Sequence, residues 1–221
     1  MASTCREASP LSSADAPALD EKRQAIVERF VAGLGDDVVG SHVVPGDDVW
    51  VRVRASAWLR AGEIAHSELG CTYFCFLSAL DWLPSPYGRS EDDPTEPPVE
   101  RSTAIVQGYA GGDTRFQVFA RVSSPTEHFG VTLKADVPDD LRIRSWTSIY
   151  SGANWHERET WEMFGIVFDG HPQLTHIYLP SEFEGYPLRK DYPLLARMVK
   201  PWPGIVDVEP LPGGDDEGES E

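Results

Sequence analysis

The sequence predicts an α+β fold: a mainly antiparallel or mixed sheet with helices on one face, continued by an extended proline-rich segment. Three observations predict it. Helix-period and strand-period stretches are interspersed through residues 20–171 rather than alternating as regular strand–helix units. A glycine-rich turn at Ala110-Gly111-Gly112-Asp113 lies between two apolar stretches, as in an antiparallel hairpin. From Pro172 onward prolines recur at 172, 180, 187, 193, 201, 203, 210 and 212, a spacing that leaves no room for a compact unit. At 221 residues the chain fits one domain with tails, and such a chain buries roughly two-thirds to three-quarters of its extended surface.

In order, residues 1–19 contain Ala, Ser and Pro without an apolar core and are expected to be a disordered tail. Asp20 to Gly35 is expected to be a helix, because Ile26, Val27, Phe30, Val31 and Leu34 make one apolar stripe and Gly35 ends it. Val49 to Arg54 alternates and reads as a strand. Ala57 to Leu69 is a second helix closed by Gly70, and Tyr73 to Leu83 is β-rich or buried. Five prolines and a cluster of acids between Pro84 and Pro98 predict an exposed, mobile loop at 84–99. Ala104–Tyr109 and Arg115–Val122 are the expected hairpin strands, and His128–Val137 is a third strand. Residues 172–212 are expected to run extended over this fold or over a partner, ahead of an acidic disordered tail at 213–221.

The formal net charge is -17, which argues against nucleic acid as a partner, since that requires a basic footprint. Five of those charges lie in Gly213–Glu221 and a net three in Pro84–Val99, and solvated tails account for them simply. No apolar run approaches the roughly 18 residues needed to cross a bilayer, and residues 1–20 show no secretory apolar region. Three cysteines are too few for a disulfide framework or for a four-cysteine metal or iron–sulfur site. Cys71 and Cys75 would face the same side of a strand, as buried small hydrophobes. Neither Gly-x-Gly-x-x-Gly nor a P-loop is present.

The densest chemistry lies in Asn154-Trp155-His156-Glu157-Arg158-Glu159-Thr160-Trp161-Glu162-Met163-Phe164-Gly165, with Asp169-Gly170-His171-Pro172 after it. A helix is expected here, with Asn154 as N-cap, Glu157 near a capping-box position, and Glu157 and Glu159 in the first turn. Trp161, Phe164, Gly165 and Phe168 form its apolar stripe, extended upstream by Glu157, and Arg158 and Glu162 are i, i+4 partners. Four readings compete. The helix could simply dock through its aromatics with its charges solvated. His156-Glu157-Arg158-Glu159-Thr160 begins like a zincin motif, but Thr160 stands where the second histidine ligand belongs. Glutamates beside tryptophans could have raised pKa values suited to acid–base work, yet no nucleophile accompanies them. An interface network, charges held partly out of water against each other and a partner, explains the concentration of charge without chemistry.

These residues resemble the signature of the C subunit of proton-pumping NADH:quinone oxidoreductase, respiratory complex I. The resemblance runs through Gly152-Ala153-Asn154-Trp155, Glu157-Arg158-Glu159, Glu162, Met163-Phe164, His171 and Ile177-Tyr178. It closes on Gly185-Tyr186-Pro187-Leu188-Arg189-Lys190-Asp191-Tyr192-Pro193 and is specific from Ser145 to Leu194. Thr175 departs from it, standing where the family usually has a basic residue or proline. The resemblance implies a non-catalytic subunit of the hydrophilic arm, peripheral at the cytoplasmic side of a cell membrane. Its partners would be the quinone-site scaffold and iron–sulfur subunits. The chain itself would bind no cofactor or metal, while the assembled complex uses FMN, iron–sulfur clusters, NADH and quinone. Subunits of related membrane-bound hydrogenases or dehydrogenases resemble it too, and a free-standing enzyme is the alternative class. The residues expected to carry the interface are Trp155, Glu157, Arg158, Glu159, Glu162, Phe164, Gly165, His171, Pro172, Pro187, Leu188, Arg189, Lys190, Asp191 and Tyr192. Arg189 and Lys190 would meet acids across that interface, so that Arg189→Ala weakens assembly.

Overall fold

The Asp20 carboxylate accepts from the Arg23 backbone N–H at 3.1 Å and starts α1, Glu21–Leu34. Gly35 ends it at φ 58, as its lack of a side chain allows. The computed structural model describes residues 20–85 and 104–192. The tail at 1–19, most of the 84–99 loop, and the segments beyond residue 192 lie outside the described residues.

After α1 come β1 (Val38–His42), β2 (Val49–Val53), α2 (Trp58–Ser67), β3 (Tyr73–Asp81), β4 (Phe116–Ser124) and β5 (Phe129–Asp136). Then follow β6 (Arg142–Arg144), α3 (Ala153–Phe164) and β7 (Val167–Asp169). The main sheet has five strands in the order β1-β2-β5-β4-β3. Its neighbours are antiparallel except β2 and β5, which pair parallel with Val49 opposite Val131 and Val53 opposite Ala135. The architecture is therefore α+β with a mixed sheet. β6 and β7 make a separate parallel pair in which Ile143 stands opposite Phe168.

Alternation places Val49, Val51 and Val53 beside Val131, Leu133 and Ala135, then Val122, Ala120 and Val118, on one face. All nine are buried, and Ile26, Val27 and Phe30 of α1 and Trp58, Ala61, Ile64 and Ala65 of α2 join the same core. Burying a side chain the size of Phe30 contributes about 1.5–3 kcal/mol. Trp58 stacks on Trp146 with centroids 4.3 Å apart, and the Trp146 indole N–H donates to the Trp58 carbonyl at 3.0 Å. Gly62 makes room for this pair, since a Cβ there would lie 2.8 Å from the Trp146 ring.

The expected hairpin is only half present. Residues 104–109 form no strand, because both sides of β4 are already taken by β3 and β5. They lie instead over the second face of the sheet. Tyr109 stacks on His42 at 4.4 Å, and its carbonyl accepts from the Lys134 ammonium at 2.7 Å. Burial pushes the Lys134 pKa down to about 8. The paired-cysteine expectation also changes. Cys71 precedes β3 and is buried, its thiol pushed up to about 12 by desolvation. Cys75 sits at an irregularity in the β3–β4 register, half-buried, with an Arg121 N–H 3.0 Å from its Sγ.

β3 is an edge strand, and α3 packs along it. The His156 ring Nδ1 lies 3.2 Å from the Leu77 carbonyl of that strand, and Phe74 meets the His156 ring edge-on at 5.4 Å. A helix laid along an open edge covers it against pairing with another strand. The charged-aromatic segment thus begins as a structural closure of the sheet.

Candidate functional site

The turn Trp146–Tyr150 leads into α3, whose inward residues Ala153, Glu157, Thr160 and Phe164 are buried. The expected capping scheme is not the one the chain uses. The helix starts at Ala153 with Gly152 before it and no side-chain cap, so Asn154 lies inside the helix. No acid occupies the first turn, which leaves Glu157 and Glu159 one turn deeper. Glu157 is held by the core instead. Its carboxylate accepts from Ser145 Oγ and from the Trp146 backbone N–H, both at 2.6 Å, and the residue is fully buried. Desolvation pushes its pKa up to about 7, against the opposing pull of those two hydrogen bonds. Phe168, placed on the helix stripe by spacing, belongs to β7, because the helix stops at Phe164.

Glu162 anchors the other side of α3. Its carboxylate accepts the backbone N–H groups of Ile177 at 3.0 Å, Tyr178 at 3.1 Å and Leu179 at 2.6 Å. The His176 ring Nδ1 lies 3.0 Å from the same carboxylate. Burial alone would raise the Glu162 pKa, but these donors outweigh it and hold the carboxyl below its usual range. Arg158 does not pair with Glu162. Its guanidinium donates to the carbonyls of Thr175 at 3.0 Å and His176 at 3.1 Å. Acid and base at i, i+4 therefore grip the same crossing segment, one through N–H groups and one through carbonyls. Thr175 takes part through its backbone, which any residue could supply.

His171 closes the upstream end of this strap. Its Nε2 lies 3.1 Å from the Asn154 carbonyl, and its Nδ1 accepts from the Gln173 N–H at 3.0 Å. That arrangement suits a neutral ring with the proton on Nε2. Burial, with the nearby Arg158 charge, lowers the His171 pKa in the same sense. Pro172 beside it is exposed.

The downstream end docks on the C-terminus of α3, where carbonyls lack helical partners. Gly165 takes the left-handed conformation at φ 76 and returns its N–H to the Trp161 carbonyl at 2.8 Å. Arg189 Nε donates to the Phe164 carbonyl at 2.7 Å, and the Leu188 N–H to Met163 O at 3.2 Å. The Arg189 guanidinium lies over the Tyr186 ring at 4.2 Å and near Phe116 at 5.3 Å. The Lys190 N–H donates to Asp81 at 2.8 Å, and Arg115 bridges Asp81 at 2.6 Å to Asp191 at 2.9 Å. Pro187 is half-buried within this stretch, and Tyr192 stacks on Phe183 at 6.0 Å. The groups of Arg189 and Asp191, expected to face a partner, thus have partners inside the chain.

A Cβ on Gly165 would lie 2.5 Å from Arg189 Nη2 and 2.7 Å from the Tyr186 ring. Gly165→Ala is therefore expected to lower stability by about 2 kcal/mol or more, from left-handed strain and displacement of Arg189. Urea unfolding of both proteins checks this, and an unchanged midpoint would count against the docking.

Trp155 is the exposed residue of α3, and Glu159 is half-buried one turn further on. Trp155 is 69 % exposed, and among the described residues Glu159 accepts only a long bond, 3.4 Å, from the hydroxyl of Tyr178, itself 63 % exposed. The Glu159 charge raises the Tyr178 pKa.

The metal and acid–base readings meet specific obstacles. His156 is engaged by Leu77, Glu157 faces the core, and Thr160 Oγ1 donates back to the His156 carbonyl at 2.8 Å. Among the described residues no three His, Cys, Asp or Glu side chains converge as metal ligands. An open hollow lined by Leu80, Trp82, Leu83, Phe164 and Leu188 lies at the end of β3, but Glu157 does not line it. Sequence reasoning missed Ser145, Asp81 and Arg115 as anchors. Asp81 at the end of an apolar strand was a visible oddity, but nothing local joins it to a backbone N–H 109 residues away.

The respiratory-chain NADH dehydrogenase 30 Kd subunit family matches residues 51–198 of this chain. The C/D subunit of the NADH-quinone oxidoreductase of Buchnera aphidicola is 49% identical over 82 residues, 37% of this chain and 14% of that protein. The C/D subunit of Yersinia pestis (strain Angola) is 48% identical over 104 residues, 47% of this chain and 17% of that protein. The chain thus matches less than a fifth of the length of these curated relatives. In fold it is similar to a chain of the membrane-bound sulfane sulfur reductase, an archaeal respiratory membrane complex. The TM-score is 0.54 at 21% identity, over 79% of this chain and 88% of that one. With the matched span covering about two-thirds of its residues, the chain belongs to the respiratory-chain NADH dehydrogenase 30 Kd subunit family.

Proposed function

We propose that the chain is a structural, non-catalytic subunit of the peripheral arm of proton-pumping NADH:quinone oxidoreductase. In this reading it binds no cofactor or metal itself and holds the iron–sulfur and quinone-site subunits in place at the cytoplasmic face of the membrane. FMN, iron–sulfur clusters, NADH and quinone would then belong to the rest of the assembly. No helix among the described residues is long and apolar enough to cross a membrane, so attachment would run through partners.

One observation carries the structural role. The ionisable groups most tempting for catalysis are Glu157 and Glu162, and both are buried: Glu162 is taken up by three backbone N–H groups and the His176 ring, and Glu157 faces Ser145 and Trp146 inside the core. Neither carboxylate reaches a substrate without opening the fold that buries it. The same bonds tie α3 to the Ser145–Trp146 turn and to the proline-containing strap, which suits adhesion.

Purification from native membranes tests the reading. The chain should co-migrate with iron–sulfur subunits in an assembly that oxidises NADH with quinone, and the isolated chain should show no such turnover. Recovery only as a free soluble protein, or turnover by the chain alone, would contradict it. Arg189→Ala is expected to lower recovery of the intact assembly by loosening the α3 terminus that Arg189 caps; equal recovery would show that this contact does not matter for assembly.

A further inference from the structure

Glu159 differs from Arg158, Glu157 and Glu162 of α3 in being incompletely partnered among the described residues. Trp155 and Glu159 stand four residues apart on the helix, hence on one face. The Tyr178 hydroxyl reaches Glu159, so the strap brings a second exposed aromatic to the same carboxylate. Arg158, the nearest cation in sequence, is committed to the carbonyls of Thr175 and His176. Among the described residues Glu159 forms no ion pair, and its one hydrogen bond is 3.4 Å long. An ionised carboxylate has about four acceptor positions.

We propose that Trp155, Glu159 and Tyr178 form a docking site for an arginine-bearing segment of a partner subunit. The proposal rests on the multisubunit reading above. A guanidinium is planar, stacks on aromatic faces and donates two parallel N–H groups to a carboxylate. An indole, a phenol and a carboxylate with acceptor positions to spare together offer it both kinds of contact. Lysine, a compact and strongly hydrated point charge, uses the aromatic faces less well. The chain's net charge of -17 adds long-range attraction for a basic partner.

A photo-crosslinking residue, p-benzoylphenylalanine, placed at position 155 in the full chain and expressed in the native assembly, tests this. The expected result is a crosslinked peptide from another subunit with an arginine at or beside the attachment point. Crosslinks confined to this chain, to lipid, or to an arginine-free peptide would overturn the proposal, as would no crosslink. Glu159→Gln provides an independent arm. It should leave thermal unfolding of the isolated chain unchanged and speed its dissociation from the purified assembly by roughly tenfold. Dissociation equal to wild type would overturn the proposal. If wild-type chain co-purifies with the assembly while both arms fail, only the docking site falls. If wild-type chain does not co-purify at all, the multisubunit reading falls with it.

Discussion

Glu162→Ala is expected to free the strap from α3 while leaving the sheet folded. Three backbone N–H groups and the His176 ring lose their shared acceptor. Hydrogen bonds to a charged group contribute about 1.5–3 kcal/mol each, and removing one member of a buried ionic set costs about 3–5 kcal/mol. The loss is local, because the sheet core of Val51, Leu133, Ala120 and Phe30 does not touch this carboxylate. It should appear as chymotrypsin cleavage after Tyr178, within the stretch that Glu162 holds, that is about 100-fold faster than in wild type, since each 1.4 kcal/mol is tenfold in the open population. Glu162→Gln should fall between the two, because the amide keeps one acceptor oxygen but turns a donor toward donors. Equal cleavage of the three proteins would show that the carboxylate does not hold the strap.

A pH dependence of opposite cause is expected from Glu157. The folded chain holds its proton up to about pH 7, whereas an exposed glutamate releases it near 4.5. Between those values the unfolded chain binds fewer protons than the folded one, so stability falls as pH rises across that window. The full difference amounts to about 3 kcal/mol, present below pH 4.5 and gone above about 7. The neutral carboxyl loses nothing in geometry. Its O–H can donate to Ser145 Oγ while the other oxygen accepts from Trp146 N–H. Glu157→Gln reproduces that pattern without the charge. The variant is therefore expected to match wild type near pH 5 and to exceed it at pH 8 by about 2–3 kcal/mol in urea unfolding. Glu157→Ala, which leaves the Trp146 N–H without its acceptor, should be less stable than wild type at pH 5. A wild-type protein less stable than Glu157→Gln by the same margin at both pH values would contradict this cause.

Elements whose signals are local were legible in the sequence. α1 carries its apolar stripe and its Gly35 stop within sixteen residues, and both are used, although Val31 of the expected stripe faces outward. β2 and β5 alternate clearly because one face of each packs on the helices. β1 was not legible: Gly40 and Ser41 interrupt its apolar pattern, and it is a strand because β2 offers an edge. Residues 104–109 have strand composition, but β4 has no free side to receive them. The candidate site shows the same division. Its location on α3 and in Gly185–Tyr192 was visible as unusual composition, but the roles were not. Asn154-x-x-Glu157 looks like a capping arrangement by spacing, yet the core claims Glu157 through residues eleven and twelve positions upstream. Arg158 and Glu162 look like a helical pair, yet both turn to backbone groups fifteen to eighteen positions downstream. Intrahelical pairs contribute a few tenths of a kcal/mol, and a charge-assisted bond to a backbone group that would otherwise go unpaired contributes more.

The central claim is that the signature charges build this chain's own framework before any partner arrives. Hydrogen exchange at the amides of Ile177, Tyr178 and Leu179, followed in the isolated full-length chain, tests it most directly. These N–H groups donate to Glu162, so the expected result is slow exchange in the isolated chain, little altered on assembly. Exchange at the free-peptide rate in the isolated chain, with protection appearing only in the assembled complex, would contradict it.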